Sequence, residues 1–182
     1  MTRNSMTRWG WPSIALHWIG AALILLLLGH GWWMTHFAPR PDRLAHYAGH
    51  AALGYDFLAL LILRVLWRWT QPVPELPADT APWERFVAHA GHFGLYLLMF
   101  ATTLTGWALS GTLRQPFVRD VFGLWVPPIY TSTDRAMHGM LESTHEALSY
   151  LLAALIVVHV VAALRHHFVK RNNVLRRMIA RG

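Results

Sequence analysis

The sequence contains no cysteine. A disulfide framework and a thiolate metal site are therefore both excluded, and thiol usage gives no reading of redox compartment. Carboxylates are scarce as well: nine Asp and Glu stand against 16 Lys and Arg and 12 His, for a formal charge of +7. Charged residues make up only 14% of the 182 positions, 54% are apolar, and mean hydropathy is +0.30, too high for a typical soluble domain of this size. A pI near 10.8 invites comparison with nucleic-acid binders. Lys and Arg, however, gather at the ends of apolar runs and form no stripe, which fits membrane flanks and argues against a nucleic-acid partner. No internal repeat or low-complexity tract is visible, and one domain over residues 1–182 is expected.

What is abundant is long apolar sequence. Four runs, at about residues 13–34, 46–67, 86–110 and 144–166, each approach the roughly 20 residues needed to cross about 30 Å of hydrocarbon. Trp9, Trp11, Trp18, Trp32, Trp33, Trp67, Trp69, Trp83 and Trp107 fall near their edges, where an aromatic belt belongs. The expected fold is all-α, an integral membrane four-helix bundle in contact with lipid. Arg3 and Arg8 ahead of the first run resemble the start of a signal peptide, but the run ends in Gly31, Trp32, Trp33 and Met34 without a small-residue cleavage site, so it is expected to be retained.

An even number of spans puts both termini on one side. That side would hold Arg3, Arg8, Arg64, Arg68, Arg85, Arg165, Lys170, Arg171, Arg176, Arg177 and Arg181, against Arg40, Arg43, Arg114, Arg119 and Arg135 on the other. The excess places both termini in the cytoplasm of a multi-pass inner-membrane protein. The segment QPVPELPADTAPW then becomes a short Pro-rich cytoplasmic link. LRQPFVRDVFGLWVPPIYTSTDR becomes a longer outer loop, of the kind that often carries function.

Histidine outnumbers carboxylate, and its placement is the feature that needs explaining. The segment HEALSYLLAALIVVH opens on His145 and closes on His159, 14 residues later. At about 100° and 1.5 Å per residue the two side chains lie within roughly 40° of one stripe and about 21 Å apart along the axis. One metal ion cannot bridge that length, but two centres stacked along the helix can use both residues. Each centre then needs a ligand at the same depth on another helix. His17 is level with His159, and His50 is level with His145. Facing helices of a bundle can hold a flat cofactor, and imidazole is a common axial ligand to haem iron. Gly20, Gly49 and Gly54 could leave room for a macrocycle, although small residues also serve ordinary helix packing. A single membrane histidine can simply be hydrogen-bonded to a neighbour. Four at paired depths point to function, because burying ionisable groups in lipid is costly.

These residues carry a resemblance. IALHW, the histidine 14 residues before Arg64 in HAALGYDFLALLILRVLWR, AHAGHFGLYLL, HEALSYLLAALIVVH and ALRHHFVKRNNVLRRM together resemble the bacterial cytochrome b561 family over nearly the whole chain. The resemblance implies four helices and two b-type haems with iron ligands His17, His50, His145 and His159. It also implies electron exchange with ubiquinone, and in one similar branch oxidation of superoxide at the outer surface, a superoxide:ubiquinone oxidoreductase.

Other residues leave alternatives open. His89 and His92 could contact haem propionates or quinone, or replace His17. His166, about 10 Å beyond His159 on nearly the same stripe, is a candidate cofactor-binding residue or a plain interfacial base. His46 rivals His50 as outer ligand, while His30, His36 and His138 read as interfacial or loop residues. Asp56, about 9 Å deeper than His50, reads as a hydrogen-bonding group of the bundle or part of a proton path. Arg64 is expected to snorkel toward the cytoplasmic interface. Arg40, Arg43, Arg114, Arg119 and Arg135 could draw in an anionic donor, but Asp42, Asp120, Asp134, Glu142 and Glu146 nearly cancel them. Two other function classes remain at this point: a cytochrome b subunit serving a partner hydrogenase or dehydrogenase, and a haem-free transporter.

Overall fold

The computed structural model describes residues 1–113, 120–121, 124–129 and 131–179. Four long helices dominate: α1 Trp11–His36, α2 Arg43–Trp69, α3 Pro82–Ser110 and α4 Arg135–Phe168, followed by a single turn, α5 Arg176–Ile179. All four long helices are long and apolar enough to cross a membrane. Among the described residues, the segment between α3 and α4 adds a two-residue antiparallel pairing, β1 Asp120–Val121 against β2 Leu124–Trp125. Of the outer-loop groups considered above, Arg114 and Arg119 lie outside the described residues, as does Arg181 in the tail. The chain is thus an all-α protein with four membrane-spanning helices.

Three of the four long helices start at a local signal. Pro12 opens α1 and Pro82 opens α3, where a missing N–H costs nothing. The Glu84 carboxylate also reaches back to accept from the Ala81 N–H at 3.2 Å. Asp134 caps α4 by accepting from the Ala136 N–H at 2.9 Å. That cap is why α4 begins nine residues before the apolar run. The stretch from Arg135 to Ser143 breaks Ala136, Met137, Met140 and Leu141 up with Arg135, His138, Glu142 and Ser143, so it forms no apolar run, yet it continues the helix. At 34 residues, α4 is about 51 Å long and projects beyond a 30 Å hydrocarbon layer.

The packing leaves a gap. Close backbone contacts run α1 to α2, α2 to α3 and α3 to α4, while α4 approaches α1 and α2 only loosely. A small core fills the middle: Ile24, Leu27, Phe57, Leu61, Leu95 and Leu152, of which Leu152 is fully buried. Leu152 lies seven residues from each of His145 and His159, so this apolar plug sits midway between the two depths. Outward, large hydrophobic side chains such as Leu25, Leu26, Leu63 and Val157 are exposed. In water such a surface would be an aggregation liability, whereas lipid solvates it.

Three segments close one end. The Asn4 side chain accepts from the Gly10 N–H and the Ser13 hydroxyl, both at 2.8 Å, and donates to the Pro72 carbonyl at 3.0 Å. Gly10 is needed there, because a Cβ would meet the Thr2 carbonyl oxygen at 2.6 Å. The Trp18 indole donates to the Met178 carbonyl at 2.6 Å, and Arg177 donates to the Glu75 carbonyl at 2.8 Å. Buried Glu84 pairs with Arg165 at 3.0 Å and with Lys170, tying the start of α3 to the end of α4. Beside that clamp, three residues past the end of α4, Arg171 takes a left-handed φ of 52°. The N-terminal segment and the turn α5 therefore meet the α2–α3 link at one end of the bundle.

Leu152→Ala is expected to lower thermal stability in detergent by about 2–5 kcal/mol, because it opens a cavity in a close-packed plug. Val157→Ala, on the exposed face of the same helix, is expected to change it by no more than about 0.5 kcal/mol. Thermal melts of the two variants check this.

Candidate metal centres

Side chains at two depths converge on the gap in front of α4. The His17 and His159 rings have centroids 6.4 Å apart, and the His50 and His145 rings 6.2 Å apart. A first-row metal lies about 2.0–2.1 Å from an imidazole nitrogen, itself about 1.1 Å from its ring centroid, so two imidazoles on opposite sides of one ion have centroids about 6.3 Å apart. Both separations fit that arrangement. His92 also meets His159, but at 5.4 Å, clearly short of the opposed geometry. Two imidazoles do not complete the shell of a tetrahedral or octahedral ion. They suit an ion that brings its own equatorial ligands, as haem iron does.

The surroundings of the His50–His145 pair are built for orientation. The His145 Nδ1–H donates to the Thr102 carbonyl at 2.9 Å. That bond fixes the tautomer and leaves Nε2 as the free lone pair, the usual support for a metal-binding histidine. Gly106, one turn further along α3, lets the ring lie against the backbone: a Cβ there would stand 2.9 Å from His145 Cε1. Gly31 does the same on α1, where a Cβ would stand 3.2 Å from His50 Cε1. Among the described residues His50 Nδ1 is buried with no hydrogen-bond partner, an open valence of the kind a bound group satisfies.

The His17–His159 pair is held differently. Arg64 does not snorkel outward as expected. Its Nη2 donates to His17 Nδ1 at 2.9 Å and its Nε donates to the Tyr96 hydroxyl at 3.1 Å, with the guanidinium over the Tyr96 ring. Hydrocarbon offers a half-buried cation nothing, and these two groups on α1 and α3 offer hydrogen bonds within reach. Trp18 packs edge-on against His17 at 5.2 Å.

The remaining candidates sort by contact. The His46 ring meets Trp33 and His30, so it is His50 that faces His145. His30 lies 5.9 Å from His50, closer to the pair than an interfacial reading suggests. His89 and His92 each donate from Nδ1 to a carbonyl one turn back, Arg85 and Ala88 respectively. His166 accepts from the Asn172 side chain at 2.8 Å and makes no ring contact with the pair among the described residues. His138 bonds Thr112 outside the bundle, and His36 lies exposed beside Trp32. Sequence reasoning missed Thr102, Gly106, Gly31 and Tyr96. A glycine and a carbonyl one turn apart carry no signal until the helix that faces them is known.

Comparison with known proteins follows the same lines. Residues 8–181 match the family model for prokaryotic cytochrome b561. The chain belongs to that family. It is 31% identical to cytochrome b561 homolog 2 of Escherichia coli (strain K12) over 186 residues, covering 98% of this chain and 94% of the relative. It is 30% identical to a probable superoxide oxidase CybB of Yersinia pestis over 169 residues, covering 91% and 92%. Cytochrome b561 homolog 1 of Escherichia coli (strain K12) is 26% identical over 180 residues, covering 97% and 99%. As a cytochrome b561 the chain is a multi-pass bacterial membrane electron-transfer protein, and membership implies that it binds haem b.

Gly106→Ala in this cytochrome is expected to push His145 off the Thr102 carbonyl, an overpacking cost of about 1–3 kcal/mol, and to lower the haem-to-protein ratio. Gly91→Ala, where a Cβ meets nothing within 4 Å, is expected to leave the ratio unchanged. Haem content per purified chain distinguishes the two.

Proposed function

We propose that the chain holds two b-type haems, one between His17 and His159 and the other between His50 and His145, and carries electrons across the bacterial inner membrane to ubiquinone. The observation that carries this reading is the pair of separations, 6.4 and 6.2 Å, at two depths of one gap. The excess of Lys and Arg on the side of the termini supports a cytoplasmic His17–His159 end and a periplasmic His50–His145 end.

Haem held by His17 with His159 and by His50 with His145 would supply outer-sphere one-electron transfer. The chain does the rest. Fourteen residues of α4 set the two pairs about 21 Å apart by helical rise. Leu152, Phe57 and Leu61 fill the space between them and exclude water. Thr102 and Gly106 orient the His145 ring, while Arg64, itself bonded to the Tyr96 hydroxyl, donates to His17. His166 on Asn172, with His92 beside His159, provides polar contacts at the inner end for propionate or quinone.

The electron donor at the periplasmic end is superoxide. Support for that choice is the similarity to a probable superoxide oxidase along nine-tenths of both chains. Each superoxide gives up one electron and leaves as dioxygen. Two such electrons with two protons convert ubiquinone to ubiquinol.

His50→Ala and His145→Ala are each expected to remove one and the same haem, about half the total, while His17→Ala and His159→Ala remove the other and His92→Ala removes neither. Haem stoichiometry with reduced-minus-oxidised spectra reads the outcome, and a haem common to His17 and His145 would overturn the pairing. A superoxide pulse is expected to reduce the wild-type haems rapidly in the isolated protein. Reduction only in the presence of a co-purified second subunit would favour a partner hydrogenase or dehydrogenase as donor.

A further inference from the structure

The two imidazole pairs sit in opposite electrostatic surroundings. Beside His17 stands a full positive charge: Arg64 donates to His17 Nδ1 at 2.9 Å and to the Tyr96 hydroxyl at 3.1 Å. Both partners are neutral acceptors. Among the described residues the ion pairs are those of Glu84 with Arg165 and Lys170, so no carboxylate lies within pairing distance of Arg64. Beside His145 stands the negative end of a dipole instead, the Thr102 carbonyl that accepts its Nδ1–H at 2.9 Å.

These surroundings act on oxidation state. Oxidised iron carries one more positive charge than reduced iron, so a nearby cation in a low-dielectric interior disfavours the oxidised form. A carbonyl that accepts from the ligand N–H makes the imidazole more basic and favours it. Arg85, Arg165, Lys170 and Arg171 also lie toward the inner end, but charges in contact with water are screened over about 8–10 Å.

We infer that Arg64 makes the His17–His159 centre the higher-potential of the two, so that electrons run from the His50–His145 centre toward it. This rests on the two-centre reading given above. The step is a single electron transfer in which the outer centre is oxidised and the inner centre is reduced, with no bond made or broken. When His17 Nε2 binds iron its proton sits on Nδ1, and the hydrogen bond from Arg64 to that atom is given up. The charge of Arg64 stays at the same level of α2. Arg64 is thus a positioning residue for His17 in the free chain and a potential-setting residue in the loaded one.

Spectroelectrochemical titration of the purified, haem-loaded protein tests this. Wild type is expected to show two waves, and the wave that survives in His145→Ala is expected to be the higher. Arg64→Gln is expected to shift that wave downward and leave the lower one in place, and Arg64→Lys, which keeps the charge, is expected to restore most of the shift. A surviving wave in His145→Ala at the lower potential would overturn the inference even if Arg64→Gln loses haem. So would an Arg64→Gln protein whose two waves stay in place, or move together. One haem per chain in the wild type, by contrast, overturns the two-centre reading itself.

Discussion

Hydrocarbon gives an imidazole no hydrogen-bond partner, so His17 and His145 take theirs from neighbouring helices while the histidines inside this bundle face one another in pairs. α4 carries one member of each pair at positions 145 and 159, and α1 and α2 present the others across a gap that their backbones do not close. Other features follow from keeping that gap open and ordered. Leu152 and its neighbours hold the middle, so the two pairs stay separate. Glycines 31 and 106 let rings lie flat against backbone where any side chain would displace them. The Asn4 network and the Glu84 clamp close one end, and there the Trp18–Met178 bond ties α1 to the tail after α4.

The two pairs are alike in separation and unlike in support. One is steadied by a carbonyl of α3, the other by a cation of α2. On the inference drawn above, that difference would set the order of the two potentials, while the net direction of transfer is fixed by the donor and the acceptor. The membrane location makes the inequality effective, since a charge in a dry interior acts over distances at which water and salt would cancel it.

Much of this was legible in the residues. The four apolar runs gave the spans, and the 14-residue spacing of α4 with the depths of His17 and His50 gave the pairs that the structure brings together. The periodicity did not reveal that α4 begins at Arg135, because a polar helical turn beyond the membrane has no hydropathy signal and only the Asp134 cap marks it. Arg64 was misjudged for a related reason. A lone arginine near a helix end reads as a snorkelling group, and only the neighbouring helices show that His17 and Tyr96 offer it hydrogen bonds inside. Thr102 and Gly106 act through backbone geometry, to which sequence is silent until two helices are docked. The family was legible because its motifs surround the paired histidines, and the match over residues 8–181 agrees.

The central claim, that each of two irons is held by two imidazoles, is tested most directly by the electron paramagnetic resonance spectrum of the fully oxidised protein with both haems loaded. Two low-spin ferric signals of equal weight are predicted, since a pair of strong axial ligands leaves no position for water. A substantial high-spin ferric signal, the mark of an iron with one axial position open, would contradict it.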